Sequence, residues 1–416
     1  MTEYSNGGTD GASTRRTYLR YAAAIGGGTL LAGCTGGGGT SGSADEGGSE
    51  SDAGAESGSD ASSDSSANSE SDSDSTSSDS EAISVTMEPV GTVTFDSVPE
   101  RWETYFPGYA DMGIALGQAD GLTAIGNPGR FHTGHLEELP GVSIDTSNVT
   151  GLLSKSGIDK ELYLELDNDV HLTDPKWLTS NDAFGLGEDD VEQLASTVGP
   201  FVGNAIFRRT DTWHDYPYYT MYEAFEKVAT IFDQQERFEA FSTLHDEFIS
   251  DLKSALPPAE QRPGAVLAFA ASDEPEAFAP YRLIDKGTNK KHLRDLGVKD
   301  ALAETDVEGL SESNRSKIDY ETLLEVDPDL LLVRGHEDKS ADEFETTVLG
   351  FMQEHSVASD LTAVQNGDVY RGGPIYQGPI HNLFLTERLG TAIYPDTISG
   401  ELFDRQRVAD IITDGA

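Results

Sequence analysis

Cysteine is almost absent from the 416-residue sequence, which holds only Cys34. A single cysteine excludes a disulfide within the chain. Long apolar runs are missing too, since no stretch reaches the roughly 18 apolar residues that a transmembrane helix needs. The sequence therefore predicts a chain without internal cross-links or ordinary membrane spans.

Basic residues are scarce: 28 Lys and Arg stand against 74 Asp and Glu, for a formal net charge of −46. This balance argues against nucleic acid as a partner, because phosphates demand clustered Lys and Arg. The first 81 residues hold 14 acidic and 3 basic residues, so residues 82–416 retain 60 and 25. An acidic surface throughout the chain is typical of proteins that stay hydrated in strong salt.

Common catalytic motifs are also missing. The sequence contains no G-x-S-x-G nucleophile elbow, no Walker A loop and no H-E-x-x-H metalloprotease motif. Gly113 and Gly117 do not form a dinucleotide-binding fingerprint, and Cys34 precedes the expected folded region. These absences argue against an enzyme.

Paired arginines, Arg15 and Arg16, precede a short, mildly apolar stretch at residues 21–33. This order is typical of a twin-arginine export signal, and Leu31-Ala32-Gly33-Cys34 is similar to a lipobox. We expect residues 1–33 to be a signal peptide, and Cys34 to carry lipid on the outer face of the cytoplasmic membrane. The alternative is a disordered leader with a chance arginine pair and an inert cysteine.

Residues 34–82 are dominated by Ser, Gly, Asp, Glu and Ala. Residues 41–80 contain 17 serines but no Leu, Ile, Val or aromatic residue. Such a segment cannot bury enough apolar surface to offset the entropy of ordering, so it predicts a disordered acidic tether. A passive linker would have the same composition.

An internal repeat occupies residues 158–172 and 318–332, which are identical at eight of fifteen aligned positions. Each copy predicts a short helix capped by Asp159 or Asp319, then an acidic turn and an apolar strand. The same unit recurring 160 residues later indicates two similar α/β lobes.

Further short strands are predicted at Leu122–Gly126, Ala265–Phe269 and Val369–Tyr370. Apolar residues recurring every three or four positions between about residues 219 and 256 indicate a helical region, with a possible break at Asp233-Gln234-Gln235. We therefore expect an α/β fold in which two Rossmann-like lobes, bridged by a long helix, enclose a ligand cleft. The predicted domains are an N-terminal lobe at 83–215, a bridging region at 216–258 and a C-terminal lobe at 259–416.

Taken together, these features resemble the helical-backbone, class III substrate-binding proteins of ATP-driven importers for iron–siderophore, haem and cobalamin. The resemblance runs from about Pro89 to Asp396. It is carried by four further segments: Pro99-Glu100-Arg101 with Ala115-Leu116-Gly117, Asp327-Pro328-Asp329-Leu330, Asn366-Gly367-Asp368-Val369-Tyr370, and Tyr394-Pro395-Asp396. The chain departs from the family pattern at Tyr105–Tyr109, where a small Ser-rich loop is usual, and at Asn168, where a turn proline is usual.

The resemblance implies that Glu161 and Glu321, one on each lobe, dock onto arginines of a membrane permease. Two carboxylates on a rigid two-lobed body would give a two-point electrostatic register. The alternative is that both only favour the start of a helix, where the dipole stabilises a carboxylate.

Ligand contacts are expected from loops after the strands, where Tyr and Trp offer flat surfaces and Arg offers forked donors for anionic oxygens. The candidates are Tyr105, Arg130, His132, Trp177, Tyr281, Arg282, Arg371 and Tyr376. They favour an iron–siderophore type of Fe(III) chelate, with cobalamin or haem second, and no resident cofactor. The implied partners are permease subunits and their ATPase, with the protein itself a monomer.

His132 and His135 lie three residues apart and could ligate a metal if the segment turned. A third and a fourth ligand would then be needed, for example His381 or an aspartate. Direct metal-ion binding is therefore an alternative, as is a cell-surface interaction protein with an acidic stalk, although the latter leaves the duplicated lobes unexplained.

Overall fold

The computed structural model describes residues 82–303, 305 and 317–415, all of which belong to one compact unit. Arg15, Arg16, Cys34 and nearly all of the predicted tether lie outside the described residues. Within the described part, no helix is both long and apolar enough to cross a membrane. Export and lipid anchoring therefore remain predictions.

Thirteen strands occur in the described residues. They are β1 (Ile83–Met87), β2 (Gly91–Phe95), β3 (Trp102–Thr104), β4 (Leu122–Ile125), β5 (Thr150–Gly151), β6 (Leu153–Ser154), β7 (Gly157–Ile158), β8 (Val170–His171), β9 (Gly264–Phe269), β10 (Ala279–Tyr281), β11 (Lys299–Asp300), β12 (Leu330–Arg334) and β13 (Val369–Arg371).

The same residues form thirteen α-helices. They are α1 (Pro107–Ala115), α2 (Lys160–Leu166), α3 (Pro175–Thr179), α4 (Glu188–Thr197), α5 (Met221–Ile231), α6 (Gln235–Ala255), α7 (Lys291–Asp295), α8 (Tyr320–Val326), α9 (Ala341–Phe344), α10 (Gly350–Glu354), α11 (Thr362–Asn366), α12 (Pro379–Ile393) and α13 (Arg405–Thr413). A π-helical segment, Glu345–Leu349, joins α9 to α10.

Two mainly parallel sheets confirm the predicted α/β class. The sheet of the N-terminal lobe has the order β5-β4-β3-β8, with all neighbours parallel. The sheet of the C-terminal lobe has the order β10-β9-β12-β13, with β11 also on β9 and only β10 antiparallel. Helical crossovers between parallel strands place helices over the sheet faces.

The internal repeat forms the same helix–turn–strand unit in both lobes. Asp159 and Asp319 cap α2 and α8, each accepting a hydrogen bond from a first-turn backbone amide at 2.9 and 3.0 Å. Both helices end at an aspartate in the left-handed conformation, with φ of 47° at Asp167 and 39° at Asp327. Strands β8 and β12 then follow, as the sequence predicts.

A second aspartate of each repeat fixes the turn to the start of a neighbouring strand. The Oδ2 atom of Asp169 accepts hydrogen bonds from the backbone amides of Glu100 and Arg101, at 2.9 and 2.8 Å, just before β3. Likewise, Oδ2 of Asp329 accepts from the amide of Gly264 at 2.8 Å, at the start of β9. Identical residues of the repeat thus align strands in both sheets.

The bridging region is interrupted where Asp233-Gln234-Gln235 predicts a break. Asp233 has a φ of 53°, which a right-handed helix does not allow, so α5 ends before it and α6 begins at Gln235. The long bridging helix is thus two helices in sequence. The 21 residues of α6 extend about 31 Å.

The hydrophobic core of the N-terminal lobe extends beyond that lobe. Its cluster of buried side chains includes residues of α5, α6 and α13 and, from the start of α12, Ile380, Leu383 and Phe384. Two further clusters occupy opposite faces of the C-terminal sheet, since alternate residues of β9 and β12 belong to different clusters. Helix α12 therefore joins the two lobes through packing.

Glycine substitutions at the two turn aspartates should have opposite effects. Asp167→Gly relieves backbone strain, and the structure describes no hydrogen bond of the Asp167 side chain that the change would remove. We therefore expect the free energy of unfolding to stay the same or to rise by up to about 1 kcal/mol. The Asp327 carboxylate instead accepts from the amide and hydroxyl of Thr362, at 2.9 and 2.8 Å. Asp327→Gly should therefore lower the free energy of unfolding by about 1–2 kcal/mol.

Denaturant unfolding of both variants in high salt measures this difference. The two positions match in charge and backbone conformation, so each variant is the control for the other. Equal changes in the free energy of unfolding would contradict the assignment of the Thr362 contacts.

Candidate functional site

The loops after the parallel strands of both lobes converge where the lobes meet. In the N-terminal lobe these loops follow β3, β4 and β8, and in the C-terminal lobe they follow β12 and β13. Ligands of α/β proteins bind at these carboxyl ends of strands. These loops therefore hold the candidate site.

A cluster of aromatic side chains fills the centre of this region. The ring of Phe106 lies 5.5 Å from that of Trp177, 5.6 Å from that of Phe207 and 5.7 Å from that of Tyr376. The Tyr105 ring lies 5.6 Å from the Trp177 ring, and all five side chains are buried. Burial raises the pKa of Tyr105 and Tyr376, so both phenols stay neutral.

Backbone hydrogen bonds join the two lobes beside this aromatic cluster. The amide of Thr288 donates to the carbonyl oxygen of Ile206 at 3.1 Å, and the amide of Asn289 donates to that of Phe207 at 3.2 Å. A Cβ atom on Gly287 would lie 2.2 Å from the Phe207 oxygen. Glycine at this position therefore allows the close approach of the two segments.

A groove of about 1050 Å³ opens to one side of the aromatic cluster. Residues 131–135 of the N-terminal lobe form one wall, and the rest of the lining comes from the C-terminal lobe. Those residues belong to the loop after β12, to α9 and the segments that follow it, to β13 and to α12: Glu337, Asp338, Lys339, Ser340, Ala341, Phe344, Glu345, Leu349, Gln353, Gly367, Val369, Tyr370, Arg371, Gly373, Pro374, His381, Leu385, Arg388, Leu389, Thr391 and Ala392.

Histidines connect the lobes along the N-terminal wall of this groove. Nδ1 of His132 lies 2.7 Å from Oδ1 of Asp338. The His135 ring stacks on the His381 ring, with centroids 4.2 Å apart and an interplanar angle of 14°. In the described part of the chain, no three His, Cys, Asp or Glu side chains are arranged to hold a metal ion. The direct-metal alternative thus gains no support there.

Asp111 of α1 lies behind the stacked histidines and caps α12. Its Oδ2 atom accepts hydrogen bonds from the backbone amides of Ile380 and His381, at 2.8 and 3.2 Å, and Oδ1 lies 3.4 Å from Nε2 of His135. Burial raises the pKa of Asp111 to about 6 and lowers that of His135 to about 3. At neutral pH a buried carboxylate therefore faces the positive end of a helix and two neutral imidazoles.

Cationic side chains lie around the groove mouth. Arg371 is half-buried and donates to the carbonyl oxygen of Lys339. Burial, with the nearby positive charge of Arg388, lowers the pKa of the Arg371 guanidinium. Arg388 pairs with Glu138 and Lys339 pairs with Asp273 at 3.2 Å, but no described carboxylate pairs with Arg371. A guanidinium that no described carboxylate pairs favours an anionic ligand.

The structure brings together some of the residues predicted to bind ligand. His132 and Arg371 line the groove. Tyr105, Trp177 and Tyr376 belong to the aromatic cluster.

Arg130 is exposed at the edge of that cluster, with its guanidinium carbon 6.0 Å from the Tyr376 ring centroid. Two other candidates make contacts within the C-terminal lobe: Nε of Arg282 lies 3.0 Å from a carboxylate oxygen of Asp300, and the Tyr281 ring lies 5.0 Å from the guanidinium carbon of Arg334. Glu161 and Glu321 are both exposed, in the first turns of α2 and α8.

Sequence reasoning missed Asp111 and Arg388. A signal for Asp111 exists, because it is the one carboxylate in Pro107–Ala115, a helix whose residues are otherwise uncharged and are all buried. Arg388 gives no such signal, since its place in the groove depends on how α12 packs against the other lobe.

The sequence profile of the family described as "Periplasmic binding protein" matches residues 104–376. The chain belongs to this family, whose members are extracytoplasmic solute-binding proteins rather than enzymes. No curated protein matches the sequence.

Several solved structures share the fold. The petrobactin-binding protein YclQ from Bacillus subtilis is 15% identical with a TM-score of 0.51, over 80% of this chain and 99% of that one. The iron uptake ABC transporter substrate-binding protein PiuA from Streptococcus pneumoniae is 16% identical with a TM-score of 0.50, over 74% and 97%. The heme binding protein HmuT is 15% identical with a TM-score of 0.50, over 75% and 90%. At these identities the likeness establishes the fold alone.

Substituting Asp111 should change how stability depends on pH. Because the pKa of Asp111 is raised from 3.8 to about 6 by folding, the folded protein holds this proton more tightly than the unfolded chain. Its contribution to the free energy of unfolding therefore falls as pH rises from about 4 to about 6. Asp111→Asn does not titrate and lacks this loss. The free energy of unfolding of the variant minus that of the wild type should therefore rise by up to about 3 kcal/mol across that range.

Denaturant unfolding at several pH values between 4 and 7 measures the difference. Asp120→Asn, at an exposed position of the same lobe, controls for the removal of one negative charge. A difference between Asp111→Asn and wild type that does not vary with pH would contradict the prediction.

Proposed function

We propose that this protein is the lipid-anchored, extracytoplasmic substrate-binding component of an ATP-driven importer, and that it captures an anionic Fe(III) chelate of the siderophore type. It would be exported through the Arg15-Arg16 signal, held at the membrane through Cys34, and act as a monomer that delivers ligand to a permease with its ATPase. Family membership supports solute binding, and two proteins of similar structure are an iron uptake ABC transporter substrate-binding protein and a petrobactin-binding protein.

The observation that carries the proposal is a groove lined by both lobes, with an Arg371 that no described carboxylate pairs. Its volume of about 1050 Å³ is at the upper end of the range usual for small-molecule sites. Chelate oxygens would accept from the guanidinium, which presents a rigid fork of donors. In a chain with 28 basic and 74 acidic residues, a cation held this way is well suited to select an anionic ligand.

Haem is the second candidate, and one observation favours it. His132, His135 and His381 all line the groove, and an imidazole nitrogen is a common axial ligand of haem iron. One protein of similar structure is the heme binding protein HmuT. No comparable observation favours cobalamin.

Tryptophan fluorescence can identify the ligand class, because Trp177 lies in the aromatic cluster between the lobes. Titration of the full chain in high salt with ferric hydroxamates, ferric catecholates, haem and cobalamin should give saturable quenching by one siderophore class. Arg371→Gln should weaken that binding about 10- to 100-fold through loss of a charged hydrogen bond.

Arg407→Gln removes a half-buried arginine that pairs with Glu247 outside the groove, and should leave the affinity unchanged. Saturable binding of haem alone would replace the siderophore assignment. Absence of binding to all four ligand classes, in a protein folded by circular dichroism, would refute the proposal.

Permease docking through Glu161 and Glu321 has a matched control within the repeat. The double variant Glu161→Gln, Glu321→Gln should lose most ligand uptake in cells while the purified protein keeps its affinity. Glu165 and Glu325 are also exposed, lie on the same two helices and are equivalent in the repeat. Their double Gln variant should retain uptake, and equal uptake by both double variants would exclude a specific docking role.

A further inference from the structure

The groove runs beyond the lobe interface, along the free edge of the C-terminal sheet. Its lining extends from His381 in the first turn of α12 to Ala392 in the last, eleven residues or about 16 Å. Among the described residues β13 is the last strand of the sheet, so no further described strand fills the space between the helix layers on the two faces. The groove is therefore an elongated trench with its mouth at the lobe interface and its inner end beside the last turn of α12, where half-buried Ala392 and exposed Gln353 line it.

The inner end of the trench is lined by apolar side chains from both helix layers. Phe344, Leu349 and Val369 belong to the hydrophobic cluster on one face of the sheet, and Leu389 belongs to the cluster on the other face. Ala392 closes this end, where its carbonyl oxygen lies 3.5 Å from the Tyr370 hydroxyl.

The mouth of the trench has the opposite character. Arg371 lines it and contacts the Lys339 backbone, while Lys339 pairs with Asp273 and His132 lies against Asp338. Glu337 and Asp338 line the mouth too, so Arg371 is the cationic side chain there that no described carboxylate pairs. This guanidinium at one end and apolar surface at the other complement a ligand with an anionic head and an apolar tail. A compact polar chelate would leave the inner surface in contact with water.

From this arrangement we infer that the ligand is amphipathic: its anionic head binds at Arg371 and its apolar tail lies along β13 between Phe344 and Leu389. The inference rests on the proposed function for the identity of the head as an iron chelate. Each methylene of the tail that is buried would multiply the affinity by about four.

The test uses three probes with the full chain in high salt. Two are Fe(III) trihydroxamates that carry one carboxylate and differ only in a dodecanoyl or an acetyl amide, and the third is dodecanoate alone. We expect the dodecanoyl chelate to bind at least about 100-fold more tightly than the acetyl chelate, and dodecanoate to bind measurably.

Filling the inner end should remove this preference. Ala392→Trp places a large side chain at a half-buried position of the trench, and Thr391→Trp does so at the adjacent position in case the first variant does not fold. Either variant should bind the dodecanoyl and acetyl chelates with similar affinity. Ala240→Trp, at a half-buried position of α6 outside the groove lining, is the matched control and should keep the preference.

The outcomes separate the two proposals. Equal affinity of both chelates for the wild-type protein would overturn the tail site and leave the importer proposal intact. A preference that persists in Ala392→Trp and Thr391→Trp would also overturn it, because the tail would then bind elsewhere. Binding of dodecanoate but of neither chelate, abolished by Ala392→Trp, would support the tail site and argue against an iron chelate as the head.

Discussion

The Asp111 carboxylate is the contact on which the relation between the lobes depends. It lies on α1 of the N-terminal lobe and accepts hydrogen bonds from the first backbone amides of α12 in the C-terminal lobe. Side chains at the start of that helix, including Phe384, then pack into the N-terminal core. The position of α12 in turn fixes one wall of the groove and places His381 against His135. A buried charge at a helix start thus determines the geometry of a site about two helical turns away.

Charge distribution gives the groove its chemical character. A chain with a net charge of −46 repels anions over most of its surface, and many of its arginines are neutralised by carboxylates, as Arg282 is by Asp300 and Arg405 by Glu387. Arg371 differs because its described partner is a backbone carbonyl. Since salt screens exposed charges more than buried ones, a half-buried guanidinium keeps its attraction for anions under conditions that weaken surface electrostatics. Selectivity and salt tolerance are therefore compatible in this fold.

The fold could be predicted from sequence more fully than the site. Repeat identity at Asp159, Asp167 and their counterparts predicts the helix–turn–strand units because capping and turn formation are local. Strands β9 and β12 follow from uninterrupted apolar runs. The groove depends instead on packing between segments more than two hundred residues apart, such as His132 with Asp338. Candidate loops could therefore be named from the sequence, but not which side chains pair with each other. The sequence therefore predicts Arg282 and Arg371 alike, although Arg371 lines the groove and Arg282 pairs with Asp300.

Backbone hydrogen bonds join the two lobes at Ile206 and Phe207 on one side and Thr288 and Asn289 on the other. The two segments approach so closely that a side chain at Gly287 would not fit between them. Opening the lobes there would break these hydrogen bonds together and expose the aromatic cluster to water. If the proposed ligand enters through the side trench, these hydrogen bonds stay intact, and the empty and loaded protein would have the same angle between the lobes. A permease could then not distinguish them by the angle between lobes. It would have to sense the loops at the trench mouth, whose contacts a bound solute alters directly.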